Sequence, residues 1–377
     1  MIQRLVDVRN AIPRNQGVEK TLGGRVTAIR AHKNNVFIDL RDSSGTLQVI
    51  VGSGAFSSKS LNRGDIIKVT GKTCLSNLAE PSLMATNYEV VVRPQVYAEE
   101  DSAEAQILID RSNLTNALRN SLTSRGLLEV ETPVLSKYSG TSSINPFKTQ
   151  DSEGADHFLR FTTELQLKKI LIRTQLPVFE IGKIFRNHGS SSRRKTEYTS
   201  LEAYIPFANL EHGVEICEGV IKEAFDALGK KLPQIQRRSV RELCAEIPAG
   251  EDVKLAYDSK VRSLDGFMFA FYPPSDWASP LYARNEDGTV REAKLIYRSL
   301  GTIAQITEEL TDYDAVRKAF DSQKAALQQV GRSVQVDVQF LDELKKGLPP
   351  CVGMYIGFDR LLAAAKGKLD IREVNLQ

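Results

Sequence analysis

The sequence predicts an α+β fold in two parts, a small β-barrel followed by an antiparallel sheet flanked by helices. Three observations carry that expectation. Residues 23–92 alternate short β-prone runs with turn signals. Residues 109–126 place Leu114, Leu118 and Leu122 at the four-residue spacing of one helix face and end at Gly126. Two apolar, β-prone runs, 179–185 and 197–204, flank a polar cationic loop, which is the pattern of an antiparallel hairpin. A chain of 377 residues has room for two domains with cores of their own.

In chain order, the candidate strands of the barrel are 24–30, 36–41, 47–51, 65–72 and 87–92. The turns between them carry Lys33-Asn34-Asn35, Asp42-Ser43-Ser44-Gly45 and Asn62-Arg63-Gly64. Five strands in about 70 residues, with Phe37, Asp39 and Arg41 alternating along one of them, predict an OB-fold over residues 1–95. Such a barrel binds single-stranded nucleic acid through stacking and backbone contacts. The other reading is a barrel kept for packing or dimerisation. Residues 96–108, with Glu99, Glu100, Asp101 and Glu104, read as an acidic linker. Residues 109–377 form the second domain, with helices expected near 164–175, 211–229 and 313–329. Residues 265–280, rich in Phe, Tyr, Pro and Ser, fit no single element.

Composition is that of an ordinary globular protein, with 26% charged and 41% apolar residues. The net charge of +3 neither demands nor excludes a nucleic-acid partner, since a local patch suffices. Cys74, Cys217, Cys244 and Cys351 are scattered, without metal-ligand spacing, and read as buried free thiols. No apolar run reaches membrane-spanning length and no secretory signal opens the sequence, so no membrane association and a cytoplasmic location are expected.

The hairpin carries the chemistry. In Phe179-Glu180-Ile181-Gly182-Lys183-Ile184-Phe185-Arg186-Asn187 the apolar run leads to a lone arginine, and the loop holds Arg193 and Arg194. Guanidinium groups match phosphate oxygens bidentately, so these three could converge on a polyphosphate. The second run alternates, with Glu197, Thr199, Leu201 and Ala203 on one face and Tyr198, Ser200, Glu202 and Tyr204 on the other. A solvated basic hairpin would read the same way.

This stretch resembles motif 2 of the class II aminoacyl-tRNA synthetases, and within them the lysyl-tRNA synthetase family, as a divergent and shortened member. Gly126-Leu127-Leu128-Glu129-Val130-Glu131-Thr132-Pro133-Val134-Leu135 is similar to motif 1. Gly347-Leu348-Pro349-Pro350 with Gly353-Met354-Tyr355-Ile356-Gly357-Phe358-Asp359-Arg360-Leu361 is similar to motif 3. The resemblance implies a class II catalytic fold, a homodimer built on the motif 1 helix, and an OB domain that holds the tRNA anticodon. It implies ATP-dependent activation of lysine or a related basic amino acid, with transfer to tRNA, a protein or a small molecule. The other reading is a non-catalytic relative that binds RNA, a metabolite or a protein.

By position, the resemblance assigns Arg186 to the α-phosphate, Tyr198 and Arg360 to the two faces of adenine, and Arg193 and Arg194 to the terminal phosphates. It assigns Glu202, Tyr204 and Glu309 to the side-chain ammonium of the amino acid. Glu164 and the backbone near Gly140 fall to its α-amino group, and Gln305 to its carboxylate. The two glutamates that hold Mg²⁺ in the family fall on Leu295 and Thr302, neither of which can replace a carboxylate, although Glu292 lies close by. His188 replaces a glutamate, Thr307 replaces a phenylalanine, and Tyr355 replaces a glycine lining the amino-acid pocket. A phenol there is expected to shorten or shift the bound side chain. Glu202 and Glu309 could otherwise be merely exposed strand residues.

Overall fold

The computed structural model describes residues 3–32, 35–52, 61–96, 102–140, 144–248, 250–331 and 335–375. Lys33 and Asn34 of the first expected turn lie outside them, as do Glu99, Glu100 and Asp101 of the expected linker. The chain divides into two compact units, Met1–Asp101 and Ser102–Gln377. No helix of the described residues is long and apolar enough to cross a membrane.

The first unit is the expected barrel. Helix α1 (Leu5–Ala11) precedes β1 (Glu19–Ala31), β2 (Asn35–Asp42), β3 (Gly45–Gly52), β4 (Ile66–Leu75) and β5 (Pro81–Val92). The strands close in the order β1-β2-β3-β5-β4. Alternation on β2 puts Ile38 and Leu40 in the barrel core, while Phe37, Asp39 and Arg41 stay half-exposed. Leu5, Val8 and Ile12 pack into the same core, a helical contribution that the strand pattern does not announce.

The second unit opens with α2 (Ser102–Ser124), so residues 102–108, expected as linker, form its first turns. The physical reason is local. No Gly or Pro interrupts 95–125, and Glu104 sits in the first turn, where the helix dipole favours an acid. The expected stripe Leu114, Leu118 and Leu122 is fully buried. The helix stops where Gly126 takes φ +85° and the Leu127 amide donates back to the Leu122 carbonyl.

The remaining elements are β6 (Leu128–Glu129), β7 (Leu135–Ser136), β8 (Lys148–Gln150), β9 (Asp156–Leu159), α3 (Glu164–Thr174), β10 (Val178–Phe185), β11 (Glu197–Pro206) and α4 (Leu210–Ala227). They continue with β12 (Ile235–Ser239), α5 (Val240–Ala245), α6 (Val253–Ser263), β13 (Phe267–Phe271), β14 (Glu292–Tyr297), β15 (Gly301–Glu308), α7 (Tyr313–Gln329), α8 (Val338–Leu344), β16 (Cys351–Gly357) and α9 (Phe358–Ala365). The stretch 265–280 resolves into β13 and a short 3₁₀ turn, Ser275–Trp277. Eight strands form one mixed sheet, β12-β13-β14-β15-β16-β11-β10-β6. Its core face holds Leu201, Ala203, Leu295, Ile306 and Met354 in one cluster with residues of α2, α4 and α9. The expected hairpin is β10 and β11, paired from Phe185↔Glu197 to Val178↔Tyr204. Cys217 and Cys351 are buried; Cys74 and Cys244 are only half-buried, and all four thiols are free.

A buried ion pair ties the motif 1 segment to this hairpin. Glu180 of β10 accepts from the Thr132 amide and hydroxyl and pairs with Arg160 at 2.5 Å; both charged side chains are almost fully buried. Removing one partner of such a pair leaves a buried charge uncompensated. Glu180→Ala is therefore expected to lower stability by about 3–5 kcal/mol in chemical denaturation. A denaturation midpoint equal to the parent's would contradict this.

Candidate active site

Three neighbouring strands set out the floor of the site. Glu202 on β11, Tyr355 on β16 and Gln305 on β15 are register partners, side by side across the sheet. Above them opens a cavity of about 510 Å³, with carboxylates at one end and arginines at the other. It collects Arg186, Arg193, Arg194, Tyr198, Arg360, Glu164, Glu202, Tyr204, Gln305 and Tyr355, the greater part of the positions expected from the sequence.

At the carboxylate end, Glu202 is buried and accepts from the Thr162 hydroxyl at 3.0 Å and the Thr163 amide at 3.2 Å. Burial pushes its carboxyl up. Glu309 lies deeper, outside the cavity lining, with its carboxylate bound by the Thr307 hydroxyl at 2.8 Å. Both acids are therefore interior groups and not exposed strand residues. Gly353 makes this approach possible, since a Cβ there would meet the Glu309 Oε1 at 2.4 Å.

The cation facing Glu309 belongs to the chain itself. Lys168 Nζ lies 2.6 Å from Glu309 and 2.6 Å from Glu164, and 5.6 Å from the centre of the Tyr204 ring. Burial works to lower the Lys168 pKa, but the two carboxylates outweigh it and the ammonium is held charged. Burial likewise raises Glu309, to about 7, against the pull of Lys168. Two carboxylates, Glu164 and Glu309, thus hold Lys168, while Glu202, with Glu164 as its charged neighbour, makes no ion pair among the described residues, and the cluster retains affinity for a further cation or proton. Sequence reasoning missed Lys168, although its i,i+4 spacing from Glu164 on α3 was a visible signal. It also missed Tyr282, whose hydroxyl lies 3.3 Å from the Gln305 amide nitrogen. Gly140 is not part of the lining; its amide donates to the Gln335 carbonyl, and Phe161 packs where its side chain would be.

At the arginine end, Arg186 follows β10 and its guanidinium lies 5.5 Å from the Tyr198 ring centre. Arg360, the third residue of α9, donates to the carbonyls of Thr302 and Arg193, the first at 2.8 Å. Burial lowers its pKa. The Tyr355 hydroxyl lies 3.3 Å from where a Gly357 side chain would begin, and its electrostatic neighbours are Arg186, Arg360, Glu202 and Tyr198. From its place beside Glu202 the ring therefore leans toward the arginine end.

The residues do not fit a protein-held Mg²⁺. Leu295 is fully buried on the core face of the sheet, and Thr302 lines the cavity as a neutral hydroxyl. Glu292 is fully buried and engaged by the Gln305 amide and by Lys294 at 3.2 Å, so it does not replace them. No group of three or more His, Cys, Asp or Glu side chains among the described residues is placed to hold a metal ion.

Comparison with known proteins identifies the family. The description tRNA synthetases class II (D, K and N) matches residues 92–376, and the OB-fold nucleic acid binding domain matches residues 20–91. The chain belongs to the class II tRNA synthetases. A lysine–tRNA ligase of Moorella thermoacetica is 29% identical over 453 aligned positions, covering 98% of this chain and 90% of the relative. Lysine–tRNA ligases of Thermoanaerobacter sp. and Fusobacterium nucleatum are each 26% identical, covering 98% and 94% of this chain and 88% and 86% of their own lengths. The alignments are longer than this chain's 377 residues, so its relatives carry segments that it lacks.

The charge of the carboxylate cluster sets a pH dependence. An added ammonium needs the acids ionised, and Glu309 ionises above about 7. Affinity for L-lysine is expected to rise as pH goes from about 6 to about 8 and to be lost as pH falls through that window. Calorimetry in buffers of different ionisation enthalpy should show proton release on binding. A pH-independent affinity without proton release would contradict the assignment.

Proposed function

We propose that this synthetase-family protein activates lysine or a related basic amino acid with ATP and passes the aminoacyl group to an acceptor, tRNA or another molecule. The observation that carries the reading is one cavity with an excess of buried carboxylate at one end and a guanidinium–aromatic cluster at the other. An amino acid lying along the floor would set its side-chain ammonium among Glu202, Tyr204 and the Lys168-bound Glu309, its α-amino group at Glu164 and its carboxylate near Gln305. Its carboxylate oxygen would attack the α-phosphorus of ATP. The bond to the bridging oxygen breaks, and pyrophosphate leaves with the electron pair. Arg186 would hold the α-phosphate, and Tyr198 and Arg360 would sandwich adenine. These groups act by positioning and by stabilising charge.

The barrel is read as the tRNA anticodon site and the chain as a cytoplasmic homodimer. Leu108 and Ile109 on α2, with Leu128 and Leu135, are about half exposed and support a partner surface on the motif 1 segment. A second reading, a non-catalytic relative, is favoured by a specific feature. Arg360 is spent on its own backbone neighbours and Arg186 lies over Tyr198, so both guanidinium groups already have partners within the chain.

Amino-acid-dependent ATP–pyrophosphate exchange separates the two. Exchange is expected with a basic amino acid, and its absence with lysine, ornithine, shorter diamino acids and the standard set would overturn the proposal. Arg360→Ala is expected to weaken ATP binding by about tenfold or more, which titration with ATP checks. Tyr355→Gly, which empties space beside Tyr198, should change ATP affinity and leave amino-acid affinity near the parent's. The reverse pattern would show that the ring governs the amino-acid end.

A further inference from the structure

A second cavity of about 250 Å³ shares Arg193, Arg194, Thr302 and Arg360 with the first. Its own walls add Lys254 and Arg262 from α6 and Lys294 from β14, making six cationic side chains. Asp258 is the one carboxylate among its lining residues. Six like charges in one concavity repel one another, and a polyanion relieves that repulsion.

The cations are not arranged as a loose surface patch. Lys294 is tethered by the fully buried Glu292, whose carboxylate also takes the Gln305 amide. Lys254 Nζ lies 5.8 Å from the Trp277 ring centre, and Trp277 packs against Tyr257 at 5.2 Å. Arg194 and Arg262 make no ion pair among the described residues, which leaves their guanidinium groups available. Thr302, which lines both cavities, is one of the two positions at which the family resemblance expects a metal-binding glutamate.

We propose that this second cavity is a polyphosphate subsite. It would take the β- and γ-phosphates of a nucleoside triphosphate, or pyrophosphate, and neutralise them with Lys254, Arg262, Lys294 and the arginines it shares. Side-chain cations would stand in the charge role that the missing carboxylates would have given to a divalent ion. The nucleotide source rests on the adenylation reading; the phosphate chemistry does not.

The test is calorimetric titration of the full chain with inorganic tripolyphosphate in EDTA, then with added Mg²⁺. Lys254→Ala and Arg262→Ala serve as the principal variants because both side chains are exposed and neither removal leaves a buried charge. Lys222→Ala, on the exposed side of α4, is the control. Binding in EDTA is expected to match binding with Mg²⁺ within about twofold. It should fall about tenfold or more in the Lys254→Ala/Arg262→Ala double variant, with AMP affinity unchanged. A requirement for Mg²⁺, equal affinity in the double variant, or an equal loss for AMP would overturn the subsite. Metal-free tripolyphosphate binding without any pyrophosphate exchange would sink adenylation and leave the subsite standing. Exchange with Mg²⁺-dependent binding that ignores the variants would do the reverse.

Discussion

The carboxylate end of the cavity depends on one buried ammonium. Lys168 reaches from α3 to Glu309, just past the end of β15, and also holds Glu164, its neighbour one turn earlier. Without it, the buried Glu309 would face Glu164 with no compensating charge. With it, both acids keep fixed positions while the group as a whole remains short of positive charge. On the proposed reading, that residual charge makes a packed interior a cation site. Gly353 and Tyr204 complete the arrangement, the first by leaving room for Glu309 and the second by covering Lys168 with its ring.

The sheet sets the distance between the two chemistries. Glu202, Tyr355 and Gln305 stand abreast on adjacent strands, and Arg186 and Tyr198 lie toward the hairpin tip of the same surface. A ligand spanning the cavity therefore meets anionic groups first and guanidinium groups last. Neither of the two positions at which the family resemblance expects a metal ligand offers a carboxylate here. Leu295 faces the core, Thr302 is neutral, and a cavity with six cations begins beside it. Thr302, one of those two positions, lines both cavities, so the basic side chains stand next to a place where the resemblance expects an acid.

Much of this was legible in the sequence because it is local. The Leu114, Leu118, Leu122 stripe needs only helical periodicity, and the two faces of β11 need only alternation. The OB barrel followed from five strands separated by turn residues. What escaped is nonlocal or depends on side-chain direction. The Lys168–Glu309 pair joins residues 141 apart in sequence. The phenol of Tyr355 occupies the expected strand position, yet it leans toward Gly357 and the arginines, which a position in sequence does not reveal. The early start of α2 was masked by acidic residues that read as linker although nothing in the segment breaks a helix.

The central claim is that one cavity reads a cationic side chain at one end and a nucleotide at the other. Titration with two stable aminoacyl-adenylate analogues tests it without requiring turnover: the sulfamoyl adenosine esters of lysine and of norleucine, which differ by the terminal ammonium. The account predicts that the lysyl compound binds about tenfold or more tighter, and that Glu202→Gln removes most of the difference. Equal affinity for the two compounds would contradict it.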